Sequence, residues 1–225
     1  MIVRTRSSLV ALLFGLAALA WWSTIDSASG MMGTRDLGAL GWFVGVWVVM
    51  MAAMMFPSVA PTVTLYARMA RRRVPIAPLV FAAGYLVIWT VPGLLAYSVW
   101  RGGHNWLGDA GQWLVAGTLV GAAAYELTPL KGVCLAKCRS PFGFLIGSWR
   151  DGLRGAFEMG ARHGAWCIGC CWALMAALFA LGVMSVAWMA LVAALIAAEK
   201  LLPWRRTATY GVAGVLLALA VVSLA

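Results

Sequence analysis

The sequence predicts an all-α polytopic integral membrane protein: seven transmembrane helices, the N-terminus inside, and an amphipathic helix lying on the inner membrane surface. Three observations predict it. Apolar residues make up 64% of the 225 and charged residues only 11%, against roughly 45–50% and roughly 25% in soluble domains. Those apolar residues fall in runs long enough to cross a bilayer, with a mean hydropathy of +0.91. The net charge of +10 sits in short clusters between the runs, as in membrane loops. A disordered chain, a soluble globular enzyme and a nucleic-acid-binding domain are excluded. A single helical membrane domain over 1–225 is expected, its function resting on the few polar and soft residues that lipid otherwise rejects.

A helical span needs about 20 apolar residues. The first expected span is Ser8 to Trp22. Arg4 and Arg6 precede it and Ser27-Ala28-Ser29 follows, the layout of a cleavable signal peptide; we read it as a retained anchor. The next spans are Leu40 to Phe56, Ile76 to Tyr97, and Gln112 to Leu127. The apolar stretch from Gly164 to Ala198 would reach about 52 Å, too long for one crossing of a roughly 30 Å core. It is therefore split near Gly182 into spans five and six. Ala208 to Ala225 is the seventh.

The charges test this count. With the N-terminus inside, all but Arg35 and Arg101 of the 17 basic residues fall on the inner side, as the positive-inside rule requires. A single crossing at Gly182 would put Arg205 and Arg206 outside. Trp21, Trp22, Trp42, Trp100, Trp106 and Trp113 gather at the outer face, as an interfacial aromatic belt does. The longest loop, 128–162, is inside. In it Phe142, Phe144, Leu145, Trp149, Leu153 and Phe157 alternate with Arg150, Asp151, Arg154 and Glu158, the pattern of a helix on the membrane surface.

Four features bear chemistry, all at the inner end of the expected bundle. Met50, Met51, Met54 and Met55 close span two. Thioethers are soft ligands that favour Cu(I), although methionine is also an adaptable core filler. Pro57 and Pro61 follow, and each removes a backbone donor. Cys134 and Cys138 follow span four. His163, Cys167, Cys170 and Cys171 open span five, with His163, Cys167 and Cys171 at i, i+4 and i+8 and Met175 one turn deeper. Thiolate with imidazole is a usual soft-to-borderline metal shell. All five cysteines fall within 134–171, which packing alone explains poorly, and an inner position faces a reducing cytosol where disulfides are rare. The fourth feature is a pair of acids at membrane depth, Glu126 and Glu199. Glu126 is expected to pair with Lys131 or Arg162, or to orient a liganding histidine; Glu199 is expected to pair with an interfacial base. His104 has no clustered partner and reads as a surface histidine. No hydrolase triad, dinucleotide, phosphate-loop or HExxH motif is present, so no catalytic residue is assigned.

The blocks MMAAMMFPSVAPTVTLYAR, YELTPLKGVCLAKCRSPFGFL and HGAWCIGCCWALMAALFALGVMSVAWMA, with a later Glu199-Lys200, resemble the bacterial family of predicted metal-binding integral membrane proteins, a domain-of-unknown-function family in which some members are labelled copper chaperones. The resemblance covers roughly Trp42 to Pro203. It implies a metal site drawn from Met50, Met51, Met54, Met55, Cys134, Cys138, His163, Cys167, Cys170 and Cys171. Asn is usual in the family where this chain has Ser185.

The expected function is copper handling in the bacterial inner membrane by a multi-pass protein. It would hold Cu(I), with zinc as the alternative metal, at an inner-leaflet Cys/His/Met site and assist delivery into or across the membrane. Met175, Met184 and Met189 are candidate stepping-stones. The expected partners are the lipid bilayer and a protein of a membrane complex or a copper donor or acceptor, and no nucleic acid. Two rivals stand beside it: an accessory or structural subunit of a larger membrane complex, and a membrane haem or thiol oxidoreductase.

Overall fold

The computed structural model describes residues 2–31, 40–70, 75–103, 111–182 and 185–224. The side chains of Arg4, Arg6, Trp100 and Arg205 and the whole of Arg35, Arg71, Arg72, Arg73, His104, Trp106 and Met184 lie outside the described residues. Nine α-helices make up the described chain, with no strand among them: α1 (Ile2–Met31), α2 (Leu40–Met69), α3 (Ala77–Gly103), α4 (Gly111–Glu126), α5 (Pro129–Arg139), α6 (Pro141–Ser148), α7 (Gly152–Gly182), α8 (Val186–Leu201) and α9 (Arg205–Val222). The expectation of an all-helical fold holds. Three helices, α2, α3 and α7, are long and apolar enough to cross a membrane. At 16 residues each, α4 and α8 reach only about 24 Å. Of α1 and α9, the stretches Ala11–Asp26 and Arg206–Val222 are apolar but shorter.

The long apolar stretch breaks where the charge map requires. Gly182 ends α7 with φ at +111°, a backbone conformation open to glycine and costly to residues with a Cβ, and α8 starts at Val186. The expected surface helix in 128–162 is corrected: the segment is three helical pieces. Thr128 caps α5 by accepting from the Lys131 amide, with Pro129 at the first helical position, where its missing N–H costs nothing. Pro141 starts α6 in the same way. The chain leaves helix at Trp149–Asp151 and re-enters at Gly152 with φ at +79°. What was expected as the start of span five at Gly164 is the middle of α7. Phe144 and Leu145 are buried while Phe142 and Ile146 are exposed. Leu153 and Phe157 are exposed as well, so only part of the apolar side read from the sequence packs on protein.

At the centre of the bundle α7 packs along α3, α4 and α5. Its closest approach is to α3. A Cβ on Gly160 would run into the Phe81 carbonyl, one on Gly84 into the Phe157 carbonyl, and one on Gly164 would sit 3.0 Å from the Tyr85 carbonyl. Gly160 and Gly164 are spaced as in small-xxx-small motifs, which let two backbones approach in the absence of a hydrophobic drive between helices. Gly160→Leu is therefore expected to destabilise by about 3 kcal/mol or more, at the top of the overpacking range, because backbone cannot move aside as a side chain does. Gly121, which faces open space, is the control: Gly121→Ala should leave the thermal melt in detergent unchanged or raised.

On the other flank α2 lies between α1 and α3 and reaches α8, and α9 packs on α4. The Trp47 indole donates to the Trp89 carbonyl at 2.7 Å, and Trp47 stacks on Phe179 of α7 with ring centroids 5.5 Å apart. These contacts tie α2, α3 and α7 together at one end. The polar residues tie them at the other.

Candidate metal centre

The C-terminal ends of α4 and α8, the middle of α7 and α2 and the first third of α3 meet around Cys167 and Gly169. This is the convergence expected for the inner ends of spans two, four, five and six. Lys200, in the last turn of α8, donates to Cys167 Sγ at 3.0 Å and to Ser58 Oγ of α2 at 3.3 Å. The Ser58 hydroxyl in turn donates to the Met55 carbonyl at 2.9 Å. The Tyr85 hydroxyl of α3 lies 2.9 Å from the same Cys167 Sγ.

Three sulfur atoms converge there. The Sγ atoms of Cys138, Cys167 and Cys170 all lie within 4.8 Å of one another, with Cys170 Sγ 3.6 Å from Cys138 Sγ. Cys167 is 0% and Cys170 1% exposed; Cys138 is at the margin with 9%. Cys171 Sγ stands 3.3 Å from Cys170 Sγ. No other three His, Cys, Asp or Glu groups come this close among the described residues, and all five cysteines are free.

The helix-face argument selected His163, Cys167 and Cys171 as one stripe, whereas the structure groups Cys138, Cys167 and Cys170. The difference comes from α5. Cys134 lies against Gly169, where an added Cβ would sit 2.6 Å from its sulfur. That glycine admits α5 onto the side of α7 that carries Cys170, and Cys138 follows one turn later. His163 is 3% exposed, with its Nδ1 buried and unpartnered. Its ring is surrounded by Phe81, Tyr85 and Phe144, with centroids 6.2, 6.0 and 4.9 Å away. It stands one turn from Cys167, outside the sulfur group. Met50, Met51, Met54 and Met55 are all buried, at 4% or less, and so face the protein interior.

The two acids pair, as expected, and with the same base. Lys131 of α5 forms an ion pair with Glu126 at the end of α4 and donates to both oxygens of Glu199 of α8, at 2.8 and 2.7 Å. All three side chains are 2% exposed or less. Arg139, at the other end of α5, donates to the backbone carbonyls of Glu199 and Leu202. So α5 is held at both ends against the end of α8, and Cys138 lies between the two fastenings. Sequence reasoning missed Lys200, Tyr85 and Ser58, and that Lys131, one of the bases expected for Glu126, also pairs with Glu199. Only Lys200 and Lys131 carried a signal, as basic residues next to an intramembrane acid or within one helical turn of a cysteine.

A family model described as a copper chaperone (PpoB2) matches residues 44–223. No curated protein and no solved structure matches the chain.

Proposed function

The chain belongs to the copper chaperone family, and from that premise we propose that it holds Cu(I) between Cys138, Cys167 and Cys170 and passes the ion on from the cytosolic end of a seven-span bundle in the bacterial inner membrane. One observation carries the proposal: three sulfurs from two helices lie within 4.8 Å of one another, two of them fully buried. Thiolates are soft donors suited to Cu(I). A structural zinc ion takes four protein ligands, and the group supplies three. Three thiolates on Cu(I) leave a net charge of −2, and the Lys200 ammonium beside Cys167 offsets part of it in a region where an unbalanced charge is costly.

The membrane setting draws on the same residues. The helices α2, α3 and α7 suit a bilayer by length and composition. Leu95, Val99 and Val222 are exposed on the outside of the bundle, as lipid-facing side chains are. Trp22, Trp42 and Trp113 are exposed near one end and the sulfur site lies at the other, in keeping with N-terminus-inside topology and an aromatic belt opposite. The short α4 and α8 fit if the bilayer thins or flanking residues reach to the interface.

The test is Cu(I) loading of the detergent-purified protein, read by elemental analysis and copper X-ray absorption. One tightly held Cu(I) in a sulfur-only environment is expected, with Cys138→Ser removing one sulfur from that shell. A protein that takes up zinc and no copper, or whose copper shell contains nitrogen and oxygen in place of sulfur, sinks the reading.

A further inference from the structure

The sulfur site stands at the foot of a column of buried thioethers. Cys167 Sγ, Ser58 Oγ and the Lys200 ammonium share one level along the bundle axis, because these atoms touch. Helix geometry places everything above that level. On α2, Met54 and Met51 are four and seven residues from Ser58, hence about 6 and about 10 Å higher and within about 40° of the Ser58 face. Trp47, eleven residues away, lies about 16 Å higher and within about 20° of the same line. The direction of that line is known at both ends: Ser58 meets Lys200 and Trp47 meets Phe179. Met51 and Met54 therefore lie on the side of α2 that looks towards α7 and α8.

The other two helices repeat the arrangement. On α8, Met189 is eleven residues from Lys200, which is close to three whole turns. It lies about 16 Å above the Lys200 backbone along α8 and within about 20° of the face from which Lys200 reaches Cys167. On α7, Cys171 and Met175 stand about 6 and about 12 Å above Cys167, stepping round the helix towards Phe179 at about 18 Å. Met51 is 0%, Met54 3%, Met175 5% and Met189 1% exposed. Methionine fills cores well, but filling does not require buried thioethers on each of three helices, at rising heights, between a thiol cluster and an aromatic stack.

We propose that Met54, Met51, Met175 and Met189 form a thioether relay that carries a soft monovalent cation, Cu(I), from the cysteine site through the bundle towards the Trp47–Phe179 end. The inference rests on the cysteine-site reading for its starting point. Neutral thioethers suit a relay: they bind Cu(I) softly, and without a thiolate charge they hold it less tightly than the cysteines do. Each step between methionines exchanges one neutral ligand for another; the first step alone parts the cation from the thiolates, whose charge stays beside the Lys200 ammonium.

The full chain is reconstituted in liposomes of phosphatidylethanolamine and phosphatidylglycerol with a Cu(I)-sensitive chelator dye inside, and Cu(I) is supplied outside under reducing conditions. Wild type should pass Cu(I) to the dye. Met51→Leu with Met54→Leu, and separately Met175→Leu with Met189→Leu, should slow that passage by roughly tenfold or more through loss of soft ligands, while the cysteine-bound equivalent measured in detergent stays at the wild-type value. Leucine preserves volume, so the variants should fold, as a thermal melt will show. Passage at the wild-type rate by the methionine variants, or no passage by loaded wild type, overturns the relay. A wild type that loads no copper on its cysteines overturns the function proposed above. In that case the relay is judged by the variant lacking Cys138, Cys167, Cys170 and Cys171: weak Cu(I) binding that disappears with the four leucines supports the thioether sites, and no binding overturns them.

Discussion

Lys131→Met is expected to remove about 3–5 kcal/mol of stability, the usual cost of leaving a buried charge without its partner. Lys131 is the base that Glu126 and Glu199 share, and all three side chains are buried at 2% exposure or less. Methionine occupies similar length and packs well, so packing loss is small and the charge dominates. The two carboxylates then face each other across α4 and α8 with nothing between them. The same substitution releases the first turn of α5, leaving the helix held only through Arg139, and Cys138 drifts from Cys167 and Cys170. The second expected result is thus a copper shell with one sulfur fewer, although no ligand has been mutated. Glu126→Gln with Glu199→Gln in the Lys131→Met background should restore most of the melting temperature, since removing the whole set of charges is far less costly than removing one member. Lys131→Met melting with the wild type would show that the triad is not ionised as drawn.

The sequence carried the helical class and the turn at Gly182 because both rest on one-dimensional quantities: run length against bilayer thickness, and the side on which Arg205 and Arg206 must fall. It carried the pairing of Glu126 with Lys131 because they are five residues apart and lipid leaves an acid few choices. It did not carry the grouping of Cys138 with Cys167 and Cys170. A helical wheel ranks Cys171 above Cys170 as the companion of Cys167, but which face of α7 is a site depends on what packs there. That is decided by Gly169 making room for Cys134, a contact between residues 35 positions apart whose only trace in the sequence is a glycine between cysteines. Lys200 was similarly hidden. Beside Glu199 it reads as an interfacial base, and only the close of α8 onto Ser58 and Cys167 shows that the lysine points inward. The break of the 128–162 segment at Trp149–Asp151 was illegible because the apolar and charged residues on both sides keep a helical period across a non-helical joint.

Cys167→Ser is expected to weaken Cu(I) binding by more than about 100-fold, beyond the roughly 10–100-fold lost when a group that only orients a ligand is removed. Cys167 is the sulfur on which the site turns: it belongs to the three-sulfur group, takes the Lys200 donor and lies 2.9 Å from the Tyr85 hydroxyl. Serine keeps both polar contacts through its hydroxyl, and the helices are held by packing that does not depend on the ion, so the melting temperature should fall little, by about 1 kcal/mol of stability. The comparison that gives the result its meaning is Cys134→Ser. Cys134 is on the same helix as Cys138 and is also buried, but its sulfur lies against Gly169, outside the three-sulfur group. It should therefore keep copper at the wild-type level. Gly169→Ala then tests the same geometry from the other side. An added methyl 2.6 Å from Cys134 Sγ pushes α5 away from α7 and should cost copper affinity with all five thiols intact; removing the obstructing sulfur in Gly169→Ala with Cys134→Ala should recover it. If Cys134→Ser loses as much copper as Cys167→Ser in competition with a Cu(I) chelator, the metal sits among the cysteines of α5 and the three-sulfur group is a packing contact.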